Sequence, residues 1–223
     1  MPRATFAANM ARGTPRGSFP RFLYGEQSYW TIAGVSGDTS RVLLNTDGTV
    51  ESGRGAFSIE PFVLDGSRLT TWADVTALPS LEDGDLPIPS VRWETGALAL
   101  TVTAFSEGPA GSSTAFARYT IENRSRGRRS MSLVLALRPF QVNPPWQFLN
   151  TPGGVAPIDS IRFASGIVTV NGTQRVVPLS APTSFGAASF EREKYNAFYS
   201  HEAATPTRRY NGAATIDLVY PPD

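Results

Sequence analysis

Three segments in the middle of the chain alternate their side chains with a period of two, and this limits the fold more than any other feature. Leu98, Leu100, Val102 and Ala104 alternate with Ala99, Thr101, Thr103 and Phe105. Ala115, Ala117, Tyr119 and Ile121 alternate with Phe116, Arg118, Thr120 and Glu122. Met131, Leu133, Leu135 and Leu137 alternate with Ser132, Val134, Ala136 and Arg138. Successive side chains point to opposite sides in an extended strand, so each segment predicts a strand with one face buried and the other partly wet. About ten residues at ~3.3 Å each span roughly 33 Å. That is long for a small barrel and suits a large sandwich.

Shorter strand signals flank this centre. Trp30–Val35, Arg41–Leu44, Phe57–Leu64, Leu69–Trp72, Val75–Leu81 and Val91–Trp93 precede it, and Ile161–Phe163, Ile167–Val170, Thr173–Val177 and Ile216–Tyr220 follow. Asn45-Thr46-Asp47-Gly48, Asp65-Gly66, Ser165-Gly166 and Asn171-Gly172 supply the turn chemistry between them. Leu81 to Val91 reads as a proline-broken loop. Helix signals are nearly missing, and Ser189–Tyr199 is the one stretch that suits two or three turns. With 20 Gly and 18 Pro among 223 residues, the chain has too many breakers for a helical bundle, while 41% hydrophobic residues is too apolar for disorder. The expected fold is all-β, a large antiparallel β-sandwich. It is expected over residues 20–223 as a single domain, with residues 1–19 as a flexible lead-in. The poorly patterned tail ending Pro221-Pro222-Asp223 reads as part of a longer protein.

Composition removes several function classes. A formal net charge of +1 provides no global field for nucleic acid. No apolar run approaches the roughly 18 residues of a bilayer span, and no signal peptide is visible, so the cytoplasm is the expected compartment. Cys is absent, which removes disulfides, thiolate metal sites and a cysteine nucleophile. His201, beside Glu202, is the only histidine; it reads as a surface residue, and a histidine-based zinc centre is excluded by count. Gly34-Val35-Ser36-Gly37-Asp38 lacks the serine-hydrolase elbow, and Gly53-Arg54-Gly55-Ala56-Phe57-Ser58 lacks the third glycine of a dinucleotide fingerprint. Glu82-Asp83-Gly84-Asp85 is better read as a solvated bend than a calcium loop, and Arg124–Arg129 as a wet hairpin tip. Asn123 and Asn171 stand in glycosylation sequons but also suit turns. No cofactor, metal or catalytic residue is expected.

The most unusual stretch runs from Leu137 to Asn150. It leaves a long strand and sets Gln141, Asn143, Gln147 and Asn150 with Trp146 and Phe148 among three prolines. Amides and an indole face are what a saccharide site uses for hydroxyls and for the sugar's C–H face. The same residues would anchor a proline-rich loop to a sheet edge, or meet a neighbouring domain. All three readings stay open.

Tyr24-Gly25-Glu26-Gln27-Ser28-Tyr29-Trp30, the stretch Leu81–Val91 and Arg138-Pro139-Phe140-Gln141-Val142-Asn143-Pro144-Pro145-Trp146-Gln147-Phe148 resemble the N-terminal region of large bacterial proteins related to glycoside hydrolases and phosphorylases. Some of these are labelled coagulation factor 5/8 type (discoidin) domain proteins. The resemblance covers most of residues 22–180. It implies a supersandwich of the galactose mutarotase-like class, preceding an (α/α)₆ toroid that carries the catalytic acids. No catalytic residue transfers to this chain, which has no toroid pattern. The expected role is therefore a non-catalytic module that packs on a C-terminal (α/α)₆ catalytic domain of the same polypeptide and helps position saccharide. The alternative is an independent carbohydrate-binding module stacking sugar on Trp146, or on Trp72 and Trp93. An aldose epimerase using His201 ranks third, because mutarotases use more than one histidine.

Overall fold

The computed structural model describes residues 2–53, 55–142, 154–189, 210–211 and 214–220. Among these, sixteen strands form three antiparallel sheets, a sandwich-like all-β arrangement. The large sheet has the order β1 (Trp30–Ala33), β2 (Val42–Asn45), β3 (Val50–Glu51), β4 (Ser58–Asp65), β10 (Met131–Arg138), β16 (Ala214–Tyr220), β14 (Ser184–Ser189), with β5 (Arg68–Thr70) also paired to β4. The second contains β6 (Thr76–Glu82), β7 (Leu86–Glu94), β8 (Leu98–Glu107) and β9 (Thr114–Asn123) in sequence order. The third runs β13 (Gln174–Val176), β12 (Ile167–Val170), β11 (Ser160–Ala164), β15 (Tyr210–Asn211).

β1 and β2 lie against β7 and β8, which closes the core between the first two sheets. The alternation places Leu98, Leu100, Val102 and Ala104 inward, together with Val91 and Trp93. They meet Val42, Leu44, Val50, Val63, Leu133, Leu135 and Leu137 of the large sheet, and Ile161, Val168 and Val170 of the third join the same cluster. The opposite face of β8 and β9 stays partly wet, with Phe105 and Phe116 stacked 5.1 Å apart. Tight turns sit where their residues demand. Ser165-Gly166 and Asn171-Gly172 take φ of 52° and 76°, and of 51° and 76°, the left-handed pair that a two-residue hairpin needs. No helix among the described residues is long and apolar enough to cross a membrane.

Three expectations need correction. β10 is buried on both faces instead of one, since Val134, Ala136 and Arg138 are as enclosed as Leu133, Leu135 and Leu137. The stretch expected to be a proline-broken loop continues as β7 from Leu86, with a tight turn at Asp83-Gly84. Pairing of β7 to β8 begins only at Ser90↔Thr103, so Pro87 and Pro89 sit where the strand has one ladder partner and a missing N–H costs no bond. Finally, the lead-in holds a helix, α1 (Pro2–Arg12). Ala7 and Ala11 are buried with Phe19, Phe22, Leu23 and Phe140 in a cluster of their own. Short alanine-rich helices carry little intrinsic signal, and tertiary contact supplies the rest.

Candidate functional site

The outer face of β3, β4 and β10 carries ionic side chains in register. Glu51 lies opposite Ser58, and Ser58 opposite Arg138. Glu60, two residues along β4, shares their face because side chains repeat every second position. A sheet's outer face is normally wet; here the N-terminal segment covers its Arg138 end and the Gln141–Val142 backbone its Glu51 end, beside an apolar cluster of Phe62, Val134 and Ala136. Arg138 Nη1 donates to Glu60 Oε2 at 2.8 Å and to the Ser18 carbonyl at 2.9 Å, with only 1% and 4% of the two side chains exposed. Its guanidinium also lies 5.0 Å from the Phe19 ring and 4.8 Å from Phe140. Burial pushes Glu60 above the ordinary carboxylate range, with Arg138 opposing the shift.

A second group continues this face. Arg21 pairs with Asp47 at 2.5 Å and with Glu26 at 3.0 Å, and Arg16 reaches Glu26 at 2.6 Å. Burial raises Asp47, while the hydrogen bond from Arg16 lowers Glu26. Both guanidiniums lie over the Trp72 indole, at 4.5 and 4.3 Å from its centroid. Trp72 Nε1 donates to the Phe19 carbonyl at 2.9 Å. Thr71 and Asp74 form a capping box around the turn that holds Trp72, which fixes the ring's direction.

Of the residues singled out from the sequence, Gln141 is described and is buried, with Nε2 3.5 Å from Glu51 Oε1. The Val142 N–H donates to the other Glu51 oxygen at 2.7 Å. Gln141 N also donates to the Gly154 carbonyl, pinning the base of the loop. Asn143, Trp146, Gln147 and Asn150 lie outside the described residues, as does His201. Trp72 and Trp93 offer no stacking platform. Trp93 is fully buried with Nε1 on the Asp47 carbonyl, and Trp72 lies beneath two arginines. Asn171 is committed to its turn, since Oδ1 accepts from the N–H groups of Asp159 and Ser160, and Nδ2 donates to Pro157 O. Asn123 likewise holds the Arg124–Arg129 tip through Ser125 and Gly127.

Among the described residues the four buried carboxylates are each engaged: Asp38 by Ser40 N–H, Asp47 by Arg21, Glu51 by Val142 N–H and Glu60 by Arg138. No cluster of three or more metal-ligating side chains occurs among the described residues. Sequence reasoning missed Glu51, Glu60 and Arg138. The available signal was parity: Glu60 and Arg138 interrupt otherwise apolar strands on the same side of the sheet. No protein-family model matches the chain, and no curated protein is similar to it.

Proposed function

We propose that the chain is a non-catalytic β-sandwich module of a carbohydrate-active protein related to glycoside hydrolases or phosphorylases. In this reading it packs on an (α/α)₆ catalytic domain and helps position saccharide. The observation that carries it is the β6–β7 hairpin, where Leu78, Leu81 and Leu86 are 47%, 37% and 43% exposed. Pro79, Pro87 and Pro89 stiffen the two strands, and Glu82, Asp83 and Asp85 charge the tip. Apolar side chains held rigid on a surface hairpin suit docking against a second body, because little entropy is lost on contact. The prolines lack the N–H that edge-to-edge strand addition requires. The resemblance supplies the identity of that body.

The engaged state of the buried carboxylates supports a module without its own acid–base pair. The covering of Trp72 and Trp93 removes two of the platforms an independent saccharide-binding module would use. The test is a Leu78→Ser/Leu81→Ser/Leu86→Ser variant in a polypeptide containing both the chain and the catalytic domain. The substitutions are expected to lower catalytic stability and turnover while leaving the melting temperature of the sandwich nearly unchanged. Unchanged association, or turnover of soluble glucans by the isolated chain, overturns the proposal. Calorimetric binding of a glucan that Trp146→Ala abolishes would favour the independent module instead.

A further inference from the structure

We propose that residues 2–28 form a lid that opens as one unit from the outer face of β3, β4 and β10 while the sandwich stays folded. The lid's apolar side chains, Ala7, Ala11, Phe19, Phe22 and Leu23, form a cluster separate from the main core that takes in Phe140 and Val155 of the body, and Tyr24 also packs against the main core. The lid's hydrogen bonds to the body run from Arg138 to Ser18 O, from Trp72 to Phe19 O and from Arg21 to Asp47, and its rings meet the body's where Phe19 packs on Phe140 and Tyr24 on Trp72. Gly25 ends the lid at φ 78°, with open space where a side chain would stand; the Glu26 N–H still turns back to Arg21 O, and the next backbone group bonded to the body is the Tyr29 carbonyl, held by Thr46 N–H. That geometry makes residues 25–28 the hinge.

The face beneath is polar where the lid touches it. Glu60 and Arg138 would recover hydration on opening, which offsets part of the lost contact, while Glu51 stays on the Val142 N–H and the neighbouring Phe62, Val134 and Ala136 form an apolar cluster of their own. An open lid therefore presents the Glu60 carboxylate, the Arg138 guanidinium, the Phe140 ring and the indole of Trp72, a residue at the border of the main core, without parting the two sheets. Closure is tight at one point: a Cβ on Gly17 would lie 2.1 Å from Thr71 Oγ1, so only glycine seats the lid there.

The absence of native cysteine makes the test clean. Ala11→Cys, in the lid, and Ala104→Cys, in the core, each place one thiol at a site that is fully buried. Ala11→Cys is expected to react with a thiol reagent at least about tenfold faster than Ala104→Cys, with a much weaker urea dependence, as local opening exposes little surface. Equal rates with equal urea dependence overturn the lid. The unsubstituted protein supplies an independent readout by amide exchange at Gly13, Thr14 and Gly25 against Leu100 and Leu135; equal protection likewise overturns it. Adding Gly17→Ala should speed labelling of Ala11→Cys with the urea midpoint of the sheets unchanged. A matching fall in that midpoint would make the segment an integral part of the sandwich and end the proposal.

Discussion

Replacing Arg138 with methionine removes the cation that faces Glu60 inside the protein. At an effective dielectric of about 20 and charge centres roughly 4 Å apart, the lost attraction is about 4 kcal/mol. Arg138 also donates to the Ser18 carbonyl and covers the Phe19 and Phe140 rings, together worth about 1–2 kcal/mol. Burial already holds Glu60 above the usual carboxylate range, and loss of Arg138 raises it further. A carboxylate whose folded value exceeds its unfolded value contributes most below the unfolded value, near pH 4, and that contribution is lost as pH rises through the folded one. Release from burying the guanidinium offsets part of that sum, so Arg138→Met should cost about 3–5 kcal/mol at pH 8 and only about 1–2 kcal/mol near pH 4, where Glu60 is neutral. Adding Glu60→Leu removes the stranded acid, so the double variant should recover most of the loss and respond to pH less steeply than the single variant. Urea unfolding at pH 4, 6 and 8 on all three proteins measures this. A penalty for Arg138→Met that is equal at pH 4 and 8, or a double variant as weak as the single one, refutes the reasoning.

Asp38 titrates in the opposite sense. Hydrogen bonds from the Ser113 side chain and the Ser40 N–H hold it well below the usual carboxylate range, so its contribution is complete above the unfolded value, about pH 4, and fades as acid approaches the folded one. Asp38→Asn should flatten the fall in urea midpoint between pH 5 and pH 2; a curve parallel to the parent's would contradict this. Asn171→Ala removes three bonds to the turn and places alanine at φ 51°, which should cost about 2 kcal/mol and lower the melting temperature by about 4–8 °C. Asn171→Gly restores the backbone freedom alone and should fall between the two; a melting temperature below that of Asn171→Ala would argue against the left-handed cost.

How far the sequence carried the fold is clearest on β8 and β10. On β8 the period-two pattern names the inward residues correctly, because Leu98, Leu100, Val102 and Ala104 face a core that any sandwich must have. On β10 the same pattern gives the inward face but misjudges the outer one. Val134 and Ala136 looked half-wet, and only the chain that arrives 120 residues earlier, at Ser18, encloses Arg138. A covering segment leaves no mark in the strand it covers, and an alanine-rich helix hardly marks itself. The candidate site was hidden for a related reason. Glu51, Glu60 and Arg138 belong to three strands, and separation along the chain says nothing about pairing register. Gln141 was visible as an amide in an unusual loop, yet its partner Glu51 lies 90 residues away. What remains after these corrections is a division of labour within one sheet. The inner face of β4 and β10 is apolar and holds the sandwich together, while the outer face divides into an apolar patch of Phe62, Val134 and Ala136 and the Glu60–Arg138 pair, which the lid encloses at Ser18 and Phe19. Desolvating that outer face makes closure costly, and the ion pairs, backbone bonds and aromatic contacts offset the cost only while the lid is seated. The two faces should consequently come apart at different denaturant concentrations, with the outer one opening first.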